Sequence, residues 1–237
     1  LLCTFSYYVH SATTEETLLW LENNIDIAPV KVTEKINREL IDAGNSEIVS
    51  LKLRALLTES YLVSGDFERS LEVAQKLVDD ASRLNYDSLE NRGRFWLATA
   101  IFNQGDYKKA LASYQSILLY YEGKSDRKMH GRTIMNIGSC YAQLGQYDTA
   151  LEYYLRALRK FQGISNTKLV SYLLNNIGAI QYWLQDYDAS LIYYQRAIDN
   201  LKGIDNPETL GRYFANMGES YIALNKYDLA EKSFNQA

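Results

Sequence analysis

Apolar side chains recur at helical spacing along most of the chain. In residues 147–161, YDTALEYYLRALRKF, the positions Ala150, Leu151, Tyr154, Ala157, Leu158 and Phe161 share one face. Steps of three and four residues of this kind mark an amphipathic helix. Residues 133–144, TIMNIGSCYAQL, carry a similar face and predict a helix just before it. Gly145-Gln146-Tyr147 reads as the tight turn between the two. The same sequence of helix, turn and helix returns. Turn aromatics stand at Phe67, Tyr107, Tyr147, Tyr187 and Tyr227, a spacing of 40 each time. Three residues later come Ser70, Ala110, Ala150, Ser190 and Ala230, all small. Seven after the aromatic stand Ala74, Tyr114, Tyr154, Tyr194 and Phe234, and nine before it Thr58, Ala98, Gly138, Gly178 and Gly218. Columns that stay in register over five copies define an internal repeat.

The small columns have a physical cause. Paired helices approach closely there, and a large side chain would hold them apart. Gly123, Gly163 and Gly203 keep the same spacing of 40, and Gly163 is expected to end the helix at 147–161 as its C-terminal cap. The pattern places five helix pairs at about 47–83, 86–122, 128–163, 168–203 and 207–237, the last one cut short. Residues 13–46 are less regular. Glu15 to Asn24 suits a helix with Thr13 or Thr14 as its N-cap, and Pro29 suits the first turn of another ending before Gly44. This degenerate pair is expected to cap the first repeat, whose apolar face needs cover.

These residues resemble the tetratricopeptide repeat, whose first helix carries Leu-Gly-x-x-Tyr and whose turn carries Gly-x-Tyr. Ile137-Gly138-Ser139-Cys140-Tyr141 with Gly145, Tyr147, Ala150, Tyr154 and Ala157 matches closely, as does Met217-Gly218-Glu219-Ser220-Tyr221 with Tyr227, Ala230 and Phe234. The pair at 168–202 departs once, with Gln181 in place of the first-helix Tyr, and the pairs beginning near Glu47 and Tyr86 lack the first-helix Gly. The long period is similar to that of kinesin light chains, polarity adaptors and bacterial regulators of this family. The resemblance covers about residues 47–237 and implies an all-α, right-handed superhelical solenoid of antiparallel helix pairs.

Composition narrows the chemistry. The 237 residues are 47% hydrophobic and 23% charged, with a net charge of −4. That balance argues against a dedicated nucleic-acid binder. Two Cys and two His, scattered, build neither a disulfide scaffold nor a usual zinc site, so no metal and no cofactor are expected. There is no Gly-rich phosphate loop, and no enzymatic activity is expected of this segment. His130 is expected to be a surface or capping residue, and Cys140 a small core residue. The 20 Tyr are the odd feature. Those at 107, 147, 187 and 227, at 141 and 221, and at 114, 154 and 194 fall in repeat columns and are expected to be packing residues.

The informative columns are those that packing does not require. Eleven residues before the turn aromatic stand Leu56, Trp96, Asn136, Asn176 and Asn216, and four earlier Lys52, Arg92, Arg132, Tyr172 and Arg212. A separation of four puts both columns on one helix face. In the resembled family the first helices line a concave groove, and an Asn ladder there grips an extended peptide. An amide can do this because it both donates and accepts. The competing role is structural: each Asn bonds a neighbouring helix and fixes the stack. The basic column, Arg92, Arg132 and Arg212, suits an acidic ligand, or salt bridges to neighbouring repeats. Three amide bonds supply about 1.5–4.5 kcal/mol, short of the roughly 8 that micromolar affinity needs. Anchors are therefore required, and Phe95, Trp96, Tyr172 and Trp183 are the candidates.

The expected function is a protein- or peptide-binding module using this groove, with a protein or extended, acidic peptide as partner and no nucleic acid. A second reading concerns context. Leu1 to Ala12 carry no charge and read as the remnant of a secretory signal peptide, which places the chain outside the cytoplasm, in a bacterial periplasm. With a last helix that lacks a stop signal, the chain then resembles the sensory regions that precede a transmembrane segment and a GGDEF diguanylate cyclase or a histidine kinase. Against export stands a cytoplasmic location, and against ligand binding stands a purely structural scaffold.

Overall fold

The apolar columns are satisfied by helix packing alone. The computed structural model describes residues 15–25, 27–42, 46–161, 167–204 and 206–237, and every regular element among these is an α-helix. The leader-like residues 1–12, the Thr13 or Thr14 cap, the helix end before Gly44 and the Gly163 cap lie outside the described residues. The chain divides into two compact units, residues 1–106 and 107–237. The division falls between the two helices that the sequence pairs at 86–122.

The first unit contains α1 (residues 15–24), α2 (Pro29–Asp42), α3 (Glu47–Val63), α4 (Phe67–Arg83) and α5 (Asp87–Asn103). Pro29 opens α2, where its missing N–H costs nothing. Leu21, Ile25, Val32 and Ile36 from the α1–α2 region form one core with Leu53, Leu56, Leu57 and Tyr61 of α3. The Ser60 hydroxyl donates to the Pro29 carbonyl at 2.8 Å and meets the Thr33 hydroxyl at 2.9 Å. The irregular helix pair thus covers α3, the place where a bare first repeat would expose apolar surface.

The second unit contains α6 (Tyr107–Tyr121), α7 (Arg127–Gln143), α8 (Tyr147–Phe161), α9 (Thr167–Trp183), α10 (Tyr187–Asn200), α11 (Pro207–Ala223) and α12 (Tyr227–Phe234). Across both units, α3, α5, α7, α9 and α11 begin at residues 47, 87, 127, 167 and 207. Each turn within a pair is built alike. The residue two before the aromatic adopts a left-handed backbone, with φ of 80° at Gly65 and 74° at Gly145. Gln185 and Asn225 hold the same conformation with side chains, at 64° and 58°. The next N–H then reaches back to the first helix and closes the turn: Asp66 to the Tyr61 carbonyl at 2.8 Å, Gln146 to Tyr141, Asp186 to Gln181 and Lys226 to Tyr221, each at 2.9 Å. The Asp66 and Asp186 carboxylates accept from the N–H groups of Arg69 and Ala189, capping α4 and α10.

The Gly column proves to be a seat for the aromatic column. A Cβ on Gly138 would lie 2.8 Å from the Tyr154 ring, one on Gly178 2.7 Å from Tyr194, and one on Gly218 2.7 Å from Phe234. Tyr114, Tyr154 and Tyr194 are buried. The turn aromatics differ from the packing role expected of them: Tyr147 and Tyr187 are only half-buried, and Phe67 and Tyr227 are 48% and 63% exposed. A ring at the first helical position hangs at the edge of its pair and is covered only in part. His130 also departs from expectation. It is buried among packed residues of α7, close to Gly131, whose backbone lies against the Phe161 ring. Cys140 is buried as well.

Candidate functional site

Steps of four, seven and eleven residues return to within roughly 60° of one direction on a helix. Arg132, Asn136, Ser139 and Gln143 therefore share a face of α7. Tyr172, Asn176, Ala179 and Trp183 share the matching face of α9, and Arg212, Asn216, Glu219 and Ala223 that of α11. Asn136, Asn176 and Asn216 on these faces are half-buried. Asn136 donates from Nδ2 to the Tyr114 hydroxyl at 2.9 Å, across 22 residues. Asn176 meets the Tyr154 hydroxyl with the same offset, and that hydroxyl donates to Ser139 Oγ at 3.1 Å. Asn216 instead donates to Asn175 Oδ1 at 2.9 Å. The amide column thus stitches each first helix to the preceding repeat. An amide nitrogen has a second hydrogen and the oxygen accepts, so this role leaves capacity for a ligand.

The aromatic candidates separate sharply. Phe95 and Trp96 are 1% and 4% exposed and pack edge-on at 4.9 Å, so they belong to the core of the first unit and cannot anchor a ligand. Tyr172 and Trp183 are 44% and 60% exposed on the α9 face. The Trp183 ring stacks on Tyr147 at 6.0 Å and 11°, with Tyr182 edge-on behind it at 5.7 Å. Tyr182 in turn meets Tyr187 edge-on at 5.5 Å. Trp183 is therefore a fixed, exposed ring at one end of the α9 face, with Tyr172 at the other and Asn176 between them. The Tyr147 contribution comes from the preceding turn and was not visible as a partner in the sequence.

The basic column also divides. Arg92 pairs through Nη2 with Glu59 at 3.4 Å, both side chains largely covered. Glu59 is the α3 residue eight before the turn aromatic, and the same position holds Ala179 in α9. Arg212 is exposed, and its Nη2 meets the Thr209 hydroxyl at 3.4 Å. Arg132 is half-buried on α7.

Burial sets the chemistry of the titratable groups. It pushes the Cys140 thiol up to about 12, which makes it a poor nucleophile at neutral pH, and raises the Tyr154 and Tyr194 hydroxyls above their ordinary value. His130 is held below its ordinary value by burial first and then by the positive charges of Lys160 and Arg156, against an opposing effect of Glu122. Among the described residues no three His, Cys, Asp or Glu side chains gather as metal ligands. No helix among them is long and apolar enough to cross a membrane. What the α7, α9 and α11 faces offer is amides, exposed rings and a cation, the chemistry of recognition.

The family model described as Tetratricopeptide repeat matches residues 89–162 and 169–237, more than half of the chain. No curated protein matches the sequence. Solved structures do match. BtubC (BKLC) from P. vanneervenii is 21% identical, with a TM-score of 0.68 over 91% of this chain and 89% of that one. The apo form of the quorum sensor NprR from B. thuringiensis is 18% identical, with a TM-score of 0.72 over 94% of this chain and 63% of that one. NprR in complex with its cognate peptide NprX gives 18% and 0.69, over 95% and 66%. At such identities the likeness shows the fold, an all-α helical-repeat solenoid. The chain spans just under two thirds of NprR.

Proposed function

We propose that this chain, which belongs to the tetratricopeptide repeat family, is a protein- or peptide-binding module. The proposed binding surface is the face shared by α7, α9 and α11. The carrying observation is the pair of exposed rings, Tyr172 and Trp183, set on either side of Asn176 on one helix face. Trp183, held by the Tyr147 and Tyr182 rings, loses little entropy on binding and makes a good anchor. Asn136, Asn176 and Asn216 keep amide atoms for the backbone of an extended segment, and Arg212 supplies a cation for a carboxylate. NprR, with the same fold, is solved with a peptide bound, which supports a peptide as the ligand class.

Selection of a random 12-residue phage-displayed peptide library on the full chain tests this. Enriched peptides should bind in solution, and Trp183→Ala with Tyr172→Ala should weaken them at least tenfold in a protein that still folds. Enrichment of nothing, or peptides indifferent to both substitutions, would overturn the reading. Asn136→Ala with Asn176→Ala should weaken binding by a smaller factor.

The context reading, a periplasmic sensory region of a membrane-anchored signalling protein, is supported by the uncharged opening Leu1–Ala12. Fractionation of the source cells with an antibody to residues 13–237 tests it. Signal in the envelope or periplasm supports export, and signal confined to the cytosol sinks it.

A further inference from the structure

The helix pair α1–α2 covers α3, but its own outer side is left bare. A pair at the end of a solenoid ordinarily turns a polar face outward. Here Leu19 and Trp20 on α1, Ile27 in the turn, and Val30 and Ile41 on α2 are 42–80% exposed. The core residues of the pair, Leu21, Ile25, Val32 and Ile36, are 0–2% exposed, so the bare side chains are additional to a core that is already closed. In α3, α4 and α5 the exposed large apolar side chains are Val63, Phe67 and Tyr86, at 36–48%, and all three stand at or next to a helix end. Leu19 and Trp20 stand in the middle of α1. Val30 and Ile41, eleven residues apart, share one face of α2. Exposed apolar side chains gathered on one element mark a contact surface.

Charge indicates what meets this surface. α1 carries Glu15, Glu16 and Glu22 and no basic residue. α2 carries Lys31, Lys35 and Arg38 at steps of four and three, along one face. The anions of α2 itself are Glu34, which meets Arg38 at 3.9 Å with both side chains exposed, and the half-buried Glu39. The acidic helix and the basic face are neighbours, yet they do not neutralise each other. Among the described residues Glu15, Glu16 and Lys31 form no ion pair. Lys35 Nζ instead lies 4.6 Å over the Trp20 ring. That contact sets Trp20 against the basic face, so the apolar and charged groups form one surface.

A surface that joins apolar side chains, an acidic helix and a basic face is complementary to itself. In a two-fold contact each copy presents to the other the same patch that it receives. α1 of each copy then meets α2 of the other, and two acid–base contacts flank the apolar side chains. A uniformly basic partner would be repelled by α2, and a uniformly acidic one by α1. We infer that the outer side of α1–α2 is an isologous interface with a second copy of this chain. The surface is separate from the aromatic face of α9 and does not depend on it.

Sedimentation velocity on the full chain, from about 2 to 200 µM, tests this over the range of a micromolar dissociation constant. The expected result is a dimer whose share grows with concentration. Leu19→Ser with Val30→Ser should weaken it at least tenfold, while Trp183→Ala with Tyr172→Ala should leave it unchanged, which separates this surface from the peptide face. Glu15→Lys with Glu16→Lys should also weaken the dimer at least tenfold, as should Lys31→Glu with Arg38→Glu. An equimolar mixture of these two charge-reversed chains should dimerise again, because each then meets its opposite. Recovery in the mixture cannot come from a change of fold within either chain, so it decides the matter even where the Leu19 and Val30 pair disturbs the helical circular dichroism. A chain that stays monomeric throughout overturns the inference, whether or not it binds phosphatidylcholine vesicles. So do a mixture that fails to recover, a dimer indifferent to every α1–α2 substitution, or self-association that appears only once residues 1–12 are removed.

Discussion

The two units build one kind of helix pair from opposite materials. In the first unit the crossing of α3 and α4 sets Thr58 on the first helix and Ala74 on the second, both buried. In the second unit the same columns hold Gly138 with Tyr154 and Gly178 with Tyr194. Two turns away along the crossing, Leu51 and Ala81 in the first unit answer to Gly131 and Phe161 in the second. Bulk has moved from one helix to the other while the crossing is kept. Packing constrains the sum of facing volumes more tightly than it constrains either residue. Charge behaves differently. In the first unit Arg54 meets Asp80 at 2.5 Å and Arg92 meets Glu59 at 3.4 Å, closing the cations off with carboxylates of neighbouring helices. In the second unit Arg212, Arg156, Arg159 and Lys160 have no such partner among the described residues. The scaffold is shared, and the two units differ in how these cations are neutralised.

The largest effect should come from exchanging the packing solutions. Tyr154→Ala alone should cost about 3–5 kcal/mol, as loss of a buried ring does. Gly138→Thr alone should cost about 1–3 kcal/mol, since its side chain would enter the Tyr154 ring. The double variant, which installs the Thr58–Ala74 arrangement in the second unit, should be more stable than the sum of the singles predicts by at least about 1 kcal/mol. Urea denaturation of the four proteins measures this. Strict additivity would show that the two columns do not exchange volume.

A middle effect separates the cations. Glu59→Gln should cost about 1–2 kcal/mol, because it leaves Arg92 without its carboxylate where the guanidinium Nε is already buried without a hydrogen-bond partner. Arg212→Ala should change stability by less than about 0.5 kcal/mol, since the side chain is exposed and its Nη2 meets a hydroxyl of its own helix. Equal costs in thermal unfolding would erase the distinction between closed and open cations.

The smallest effect is a staggered response to acid. His130 is buried with its protonated form disfavoured, so between its folded value and about 6.5 the unfolded chain binds more protons. Stability of the second unit should therefore fall as pH drops below about 6.5, and His130→Gln should remove that fall. In the first unit Asp80 is held below its ordinary value by hydrogen bonding to Arg83, with Arg54 adding to it, so its contribution survives until pH falls below about 3.9. Hydrogen exchange read by mass spectrometry at pH 7.5, 5.5 and 3.5 resolves the two. Loss of protection in both units at the same pH would contradict this account.

The parts of the structure legible in the sequence are those that repeat. The turn positions, the Gly column and the aromatic that rests on it all recur every 40 residues, and a side chain that must fit one geometry leaves a column. What stayed hidden depends on a partner far along the chain. The Tyr114 hydroxyl that takes the Asn136 amide stands 22 residues earlier on a helix read only for its ring. Trp96 looked like an anchor because its column holds half-buried Asn in α7, α9 and α11, yet like Leu56 it is turned into the core, here beside Phe95. His130 looked exposed because helix starts usually are, and it is covered because the end of α8 lies against that start.

Gln185, Asn225 and the Asn85 that follows α4 carry a further consequence, for engineering. Replacing glycine is the usual route to a more thermostable protein, because it removes freedom from the unfolded chain. At these three positions φ is 64°, 58° and 59°, a region that costs a side chain on the order of 1 kcal/mol. The profitable direction is reversed there. Glycine is the stabilising substitution, and each of these turns holds a reserve of heat resistance left unused.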